Sequence, residues 1–251
     1  MTAKRIIACL DIADGKVVKG VKFQNHEIIG DIVPFAQKYS DAGIDELVLY
    51  DIKASCDDKT VDYAWIESVA KVINIPFCVA GKIDSIAKVE KILNCGADKV
   101  SINSPAINNP DLINQIADKF GSSTLVVGID TKDGFIYKNT GDNTKTQEIK
   151  ISVLNWACEA AKQGAGEIVI NSINSDGTKQ GYDINLLKTV VNSVKIPVIA
   201  SGGAGIMQHF KDVFMHANVS GALAASVFHK NEIDIKKLKE YLVNNNILIR
   251  I

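Results

Sequence analysis

Short apolar, β-branched runs recur along the chain: RIIACL (5–10), ELVLYD (46–51), PFCVA (76–80), KVSIN (99–103), TLVVGID (124–130), EIVINS (167–172), PVIAS (197–201) and GALAAS (221–226). Between them lie stretches whose apolar residues recur at helical spacing, such as VDYAWIESVAKVI, SIAKVEKILNCG, NPDLINQIADKF and DINLLKTVVNSV. Several of these open with Asp, Ser or Asn, whose side chains accept hydrogen bonds from free backbone N–H groups at a helix start. Near-continuous apolar strands alternating with amphipathic helices predict a parallel sheet covered by helices. Eight such units are the number that closes a (β/α)8 TIM barrel, and a doubly wound open sheet is the alternative.

The pattern also repeats internally. IIACLDIADG matches LVVGIDTKDG, AGIDELVLYD matches GAGEIVINS, and IPFCVAGKI matches IPVIASGGA. The separations are 119 residues from Asp11 to Asp130, and 121 both from Glu46 to Glu167 and from Gly81 to Gly202. Three matches in order at a nearly constant offset predict one barrel with an internal two-fold half-barrel repeat, its halves covering approximately 1–120 and 121–251.

A length of 251 residues suits such a barrel as one domain. With 47% hydrophobic and 23% charged residues and a net charge of −1, the chain has no bulk attraction to nucleic acid or to an anionic membrane, so any bound anion needs a local site. The five cysteines are scattered and lack CxxC spacing, which argues against a disulfide framework or a zinc site and for a cytoplasmic protein. The N-terminal apolar run is broken by Asp11 and reads as a first strand, not as a signal peptide or membrane span.

In a barrel of this kind the chemistry sits at the C-terminal strand ends. Asp11 and Asp130 occupy equivalent strand ends in the two halves, hence opposite sides of one mouth, where two carboxylates suit general acid and base work. The competing expectation is that each Asp caps its own loop, since both precede a DG pair. SGGAG (201–205), SDGTKQG (175–181) and AASVFH (224–229) would gather N–H groups on one side of the mouth, with AGKI (80–83) and INSPA (102–106) opposite. Two such cradles imply a ligand with a phosphate at each end. Arg5, Glu46, Lys99 and Glu167 stand at strand starts, at the other end of the barrel, and form either a solvated rim or an inward ring. The four histidines are dispersed, so no metal is expected, and no P-loop or dinucleotide fingerprint asks for a cofactor.

With AKRIIACLDIADGKVVKGVKFQNHEIIGD, GADKVSINSPA, NSDGTKQGYD, IPVIASGGAG and ALAASVFH in view, the whole chain resembles the family of cyclase subunits of imidazole glycerol phosphate synthase, from histidine biosynthesis. The resemblance implies a (β/α)8 barrel that takes ammonia and a ribulosyl aminoimidazole carboxamide ribonucleotide bearing two phosphates. It closes an imidazole ring and releases imidazole glycerol phosphate and an aminoimidazole carboxamide ribonucleotide. It further implies Asp11 and Asp130 as the acid/base pair and Lys19, in the loop after the first strand, as a lysine that closes on substrate. One phosphate site would comprise Gly81, Lys82, Asn103 and Ser104, and the other Asp176, Gly177, Gly202, Gly203, Ala225 and Ser226. Arg5, Glu46, Lys99 and Glu167 become the gate for ammonia from a docked glutaminase subunit, with Asp98 on the docking face.

Two positions depart from the family pattern: Lys53 stands where Thr is usual and Lys82 where Gly is usual. They keep open a barrel that has lost catalysis and serves as a phosphate-binding scaffold. Two enzymatic alternatives are the sister-barrel isomerase of the same pathway and a related cyclase serving polysaccharide synthesis.

Overall fold

The protein is described from a computed structural model covering residues 2–21, 24–52, 61–142 and 144–250. Eight parallel strands close into a barrel: β1 (Arg5–Ala13), β4 (Glu46–Asp51), β5 (Phe77–Ala80), β6 (Lys99–Ile102), β7 (Leu125–Lys132), β10 (Glu167–Ser172), β11 (Val198–Ser201) and β12 (Gly221–Ala224). Neighbours follow that order, β7 pairs with β10, and β12 returns to β1. Every apolar run read from the sequence is a barrel strand, and the four helical stretches quoted above contain helices at Tyr63–Ala70, Ile86–Asn94, Asp111–Phe120 and Ile184–Val191. The expected capping holds at Asp62 and Asp183, which accept from the N–H groups of Ala64 and Leu186. Ser85 makes no such side-chain bond. Among the described residues, no helix is long and apolar enough to cross a membrane.

Strand alternation divides the core in two. Ile6, Ala8, Leu10 and Ile12 join the layer between the strands and the outer helices. Ile7 and Cys9 face inward with Val48, Cys78, Val126, Val169, Ile199 and Leu223, and fill the barrel interior. The inward rows therefore run from one end of the barrel to the other: Arg5, Ile7, Cys9, Asp11 on β1, and Glu46, Val48, Tyr50 on β4. A side chain's position along such a row decides whether it belongs to the lower ring, the apolar plug or the mouth.

From their polar composition, the segments after the Asp11 and Asp130 strands read as loops. Both are antiparallel hairpins: β2 (Lys16–Val21) and β3 (Gln24–Asp31) extend β1, while β8 (Phe135–Lys138) and β9 (Gln147–Ser152) extend β7. The physical signal was the DG pair. Asp14 and Gly15 have φ of 50° and 72°, and Asp133 and Gly134 have 53° and 82°. Positive φ at both central residues is the tight two-residue turn whose twist matches antiparallel strands.

Candidate active site

A cavity of about 760 Å³ occupies the C-terminal mouth of the barrel. Every residue expected there lines it: Asp11, Lys19, Gly81, Lys82, Asn103, Ser104, Asp130, Asp176, Gly177, Gly202, Gly203, Ala225 and Ser226. Lys53 lies outside the described residues.

The two aspartates sit in different surroundings. Lys19, carried by β2, donates to Asp11 Oδ2 at 3.3 Å. Burial works to lower the Lys19 pKa, but Asp11 and Asp176 outweigh it and the net shift is upward, so Lys19 is a cation. Asp130 is buried and has no lysine partner among its hydrogen bonds. Asn103 Nδ2 donates to its Oδ2 at 2.8 Å, Asn171 Nδ2 to its Oδ1 at 2.7 Å, and the Thr140 hydroxyl to Oδ2. Burial raises the Asp130 pKa above the ordinary carboxylate value, against the lowering effect of these three donors and with Asp176 adding to the rise. Among the described residues, the side-chain contacts of both Asp residues run to side chains at the mouth. Asn171 and Thr140 were missed from the sequence. Asn171 follows from the inward row of β10, but Thr140 comes from the β8–β9 connection, whose course no periodicity reveals.

Both glycine turns hold two successive residues at positive φ. Gly81 and Lys82 have φ of 138° and 42°, and Gly202 and Gly203 have 94° and 106°. A Cβ on Gly81 would stand 2.8 Å from the Asp51 carbonyl oxygen, and one on Gly202 would stand 2.7 Å from that of Ser172. Asn103 and Ala225, which precede the short helices Ser104–Asn108 and Ser226–His229, share φ/ψ of −124°/−88° and −121°/−75°. Lys82 is at positive φ like its glycine twin, but in the left-handed helical range at 42°, where a Cβ costs about 1–2 kcal/mol, and Gly203 is at 106°.

At the opposite end, the four strand-start charges turn inward. Arg5 contacts Glu46 at 2.6 Å and also Glu167, and Lys99 contacts Glu46 at 2.9 Å and Glu167 at 3.1 Å. The ring expectation thus holds over the rim expectation. Burial alone would lower the pKa of Lys99, and the two carboxylates carry it above the ordinary value. A void of about 10 Å³, room for about one water-sized molecule, lies between Glu46 and Glu167 below and Tyr50 and Ser101 above. Tyr50, Ser101 and Leu223 also line the mouth. Asp98 is exposed, and its Oδ2 accepts from the Phe77 N–H at 2.9 Å.

The histidine biosynthesis protein family matches residues 5–234. A Pasteurella multocida protein named imidazole glycerol phosphate synthase subunit HisF is 58% identical over the full length of both chains. Proteins of the same name from Mannheimia succiniciproducens and Proteus mirabilis are each 56% identical, again over both full lengths.

Proposed function

The chain belongs to the histidine biosynthesis protein family, and from that premise we propose that it is the cyclase subunit of imidazole glycerol phosphate synthase. It uses ammonia to convert the two-phosphate ribulosyl aminoimidazole carboxamide ribonucleotide into imidazole glycerol phosphate and aminoimidazole carboxamide ribonucleotide. The observation that carries this reading is the position of Asp11 and Asp130 at one mouth between two matched glycine turns. A substrate phosphate at each cradle would stretch the reacting carbons between the two carboxylates.

The roles follow from the surroundings. Asp11, ion-paired with Lys19, and Asp130, buried and held by three donors, are the acid/base pair. Asn103, Asn171 and Thr140 orient Asp130. Lys19, at the root of a hairpin beside the mouth, contacts the anionic substrate. Gly81, Lys82, Asn103 and Ser104 hold one phosphate, and Asp176, Gly177, Gly202, Gly203, Ala225 and Ser226 form the site of the other.

The relatives are named as a subunit, which supports a complex with a second chain. We take that partner to be a glutaminase docked at the ring end, where Asp98 meets it and Arg5, Glu46, Lys99 and Glu167 gate the entry of ammonia. The small void above the ring supports a path for one small neutral molecule. A cytoplasmic location fits this role. The test is turnover of the purified chain with ammonium salt at alkaline pH, offered either the two-phosphate ribulosyl substrate or its isomeric precursor. Product from the first alone is expected. Isomerisation of the second would favour the sister enzyme, and no reaction with either would favour a scaffold.

A further inference from the structure

Two backbone clamps stand directly beside the charged ring. The Asp45 N–H donates to the Ile6 carbonyl at 3.0 Å, and the Ile6 N–H donates to Asp45 Oδ2 at 2.7 Å. The Asp98 N–H likewise donates to the Phe77 carbonyl at 3.1 Å, and the Phe77 N–H to Asp98 Oδ2 at 2.9 Å. Each clamping Asp is followed at once by a ring residue, Glu46 or Lys99, and Ile6 is preceded by another, Arg5. The first clamp thus fixes the backbone on both sides of the Arg5–Glu46 contact.

The clamps differ in what neutralises them. Asp45 is buried, and its Oδ1 accepts from Lys239 Nζ at 2.7 Å. Lys239 is itself only 7% exposed and comes from the C-terminal helix Ile235–Asn244, far along the chain. A buried ion pair is weak evidence for stability, because apolar residues of similar volume are often as stabilising. What the pair supplies is a fixed orientation: a carboxylate held by an ammonium on one oxygen presents the other to the Ile6 N–H in one geometry.

We infer that Lys239 and Asp45 are positioning residues for the Arg5–Glu46 half of the ring. The inference rests on the gate reading of that ring. The C-terminal helix acts through Asp45 to hold Arg5 and Glu46 where they close on Lys99 and Glu167.

The test compares Lys239→Met with the ring variant Lys99→Met in complex with the cognate glutaminase subunit. Two quantities are measured: the ratio of glutamine-driven to ammonium-driven turnover, and amide hydrogen exchange at Ile6 and Phe77. In Lys239→Met the ratio is expected to fall about fivefold or more, a size typical of coupling within one hydrogen-bond network. Exchange at Ile6 should accelerate while Phe77 in the other clamp stays protected, a pattern that general loosening would not give. If Lys99→Met shifts the ratio and Lys239→Met does not, the positioning role is overturned and the gate reading stands. If neither shifts it, the gate reading fails and takes the inference with it. Should Lys239→Met fail to fold because Asp45 is left buried without its cation, the double variant Asp45→Ala with Lys239→Met removes both charges and the clamp. A folded double variant with an unaltered ratio overturns the proposal.

Discussion

Asp130 and Asn171 are register partners on adjacent strands and are joined side chain to side chain at 2.7 Å. In the other half, Asp11 has Tyr50 as its register partner, and the buried Tyr50 hydroxyl has no hydrogen-bond partner among the described residues. One repeat thus places an amide beside its carboxylate and the other a phenol. This difference, with Lys19 on the Asp11 side, gives two carboxylates at equivalent strand ends unequal surroundings. Asp11→Asn and Asp130→Asn should each reduce ammonium-driven cyclisation by about 100-fold or more, the usual range for general acid–base groups, with unaltered circular dichroism. Near-native turnover in either folded variant would remove that residue from the mechanism.

The Asp130 environment also predicts how stability responds to pH. Its folded pKa lies above the unfolded value of about 3.9. The neutral form is therefore the favoured one in the fold. The contribution is fully present below the unfolded pKa and is lost as pH rises through the folded pKa. Asp130→Asn should accordingly gain thermal stability relative to the native chain as pH rises above the unfolded carboxylate value of about 3.9. Melting curves across that range check the sign.

His229 predicts the opposite slope. Its Nδ1 lies 2.6 Å from the Tyr39 hydroxyl, Phe35 packs edge-on against its ring, and burial, with Lys19 and Lys38 nearby, pushes its pKa down to about 3. The unfolded value is about 6.5. Stability from the neutral ring is present above that value and is lost as pH falls through the folded pKa. His229→Leu should flatten the acid limb of the stability profile, read by urea unfolding at successive pH values.

Lys82 sits at φ of 42°, where its Cβ is unfavourable. Lys82→Gly is expected to stabilise the fold by about 0.5–1 kcal/mol once the entropy cost of glycine is offset. Lys82→Ala keeps the Cβ and should give no such gain. Equal stability of the two variants would show that backbone strain is not what distinguishes this position.

Gly203 tests the second cradle from the other direction. A Cβ there would lie 2.0 Å from the Gly181 carbonyl oxygen, and Gly203 itself has φ of 106°, which side chains rarely adopt. Gly203→Ala should raise the KM for the two-phosphate substrate by about tenfold or more, equivalent to losing one charge-assisted hydrogen bond of about 1.4 kcal/mol. An unchanged KM would place the second phosphate elsewhere.

What the sequence disclosed divides along physical lines. The eight apolar runs, the repeat offset and the strand-start charges were legible because strand alternation and barrel closure leave few alternatives for such a pattern. Asp11, Asp130 and the glycine turns were legible for the same reason: strand ends and tight turns are local. The hairpins were written in the DG pairs, yet they were read as loops because the segments after Gly15 and Gly134 carry polar residues that mask the strand period. Thr140 was out of reach because its contact with Asp130 depends on how the β8–β9 connection folds back over the mouth. The Lys239–Asp45 pair spans most of the chain and depends on where the last helix docks.

The inward row of Ile7, Val48, Val126, Val169, Ile199 and Leu223 between the ring and the mouth has a consequence for what the barrel interior can admit. An apolar passage rejects an ion, whose desolvation is costly, and accepts a neutral molecule of similar size. On the gate reading proposed above, such an interior would act as a filter on protonation state: an ammonium ion would leave its proton on the ring side, and only the uncharged base would partition inward. On that proposal, the hydrophobic plug that fills the barrel would also choose which species of the reagent reaches the mouth.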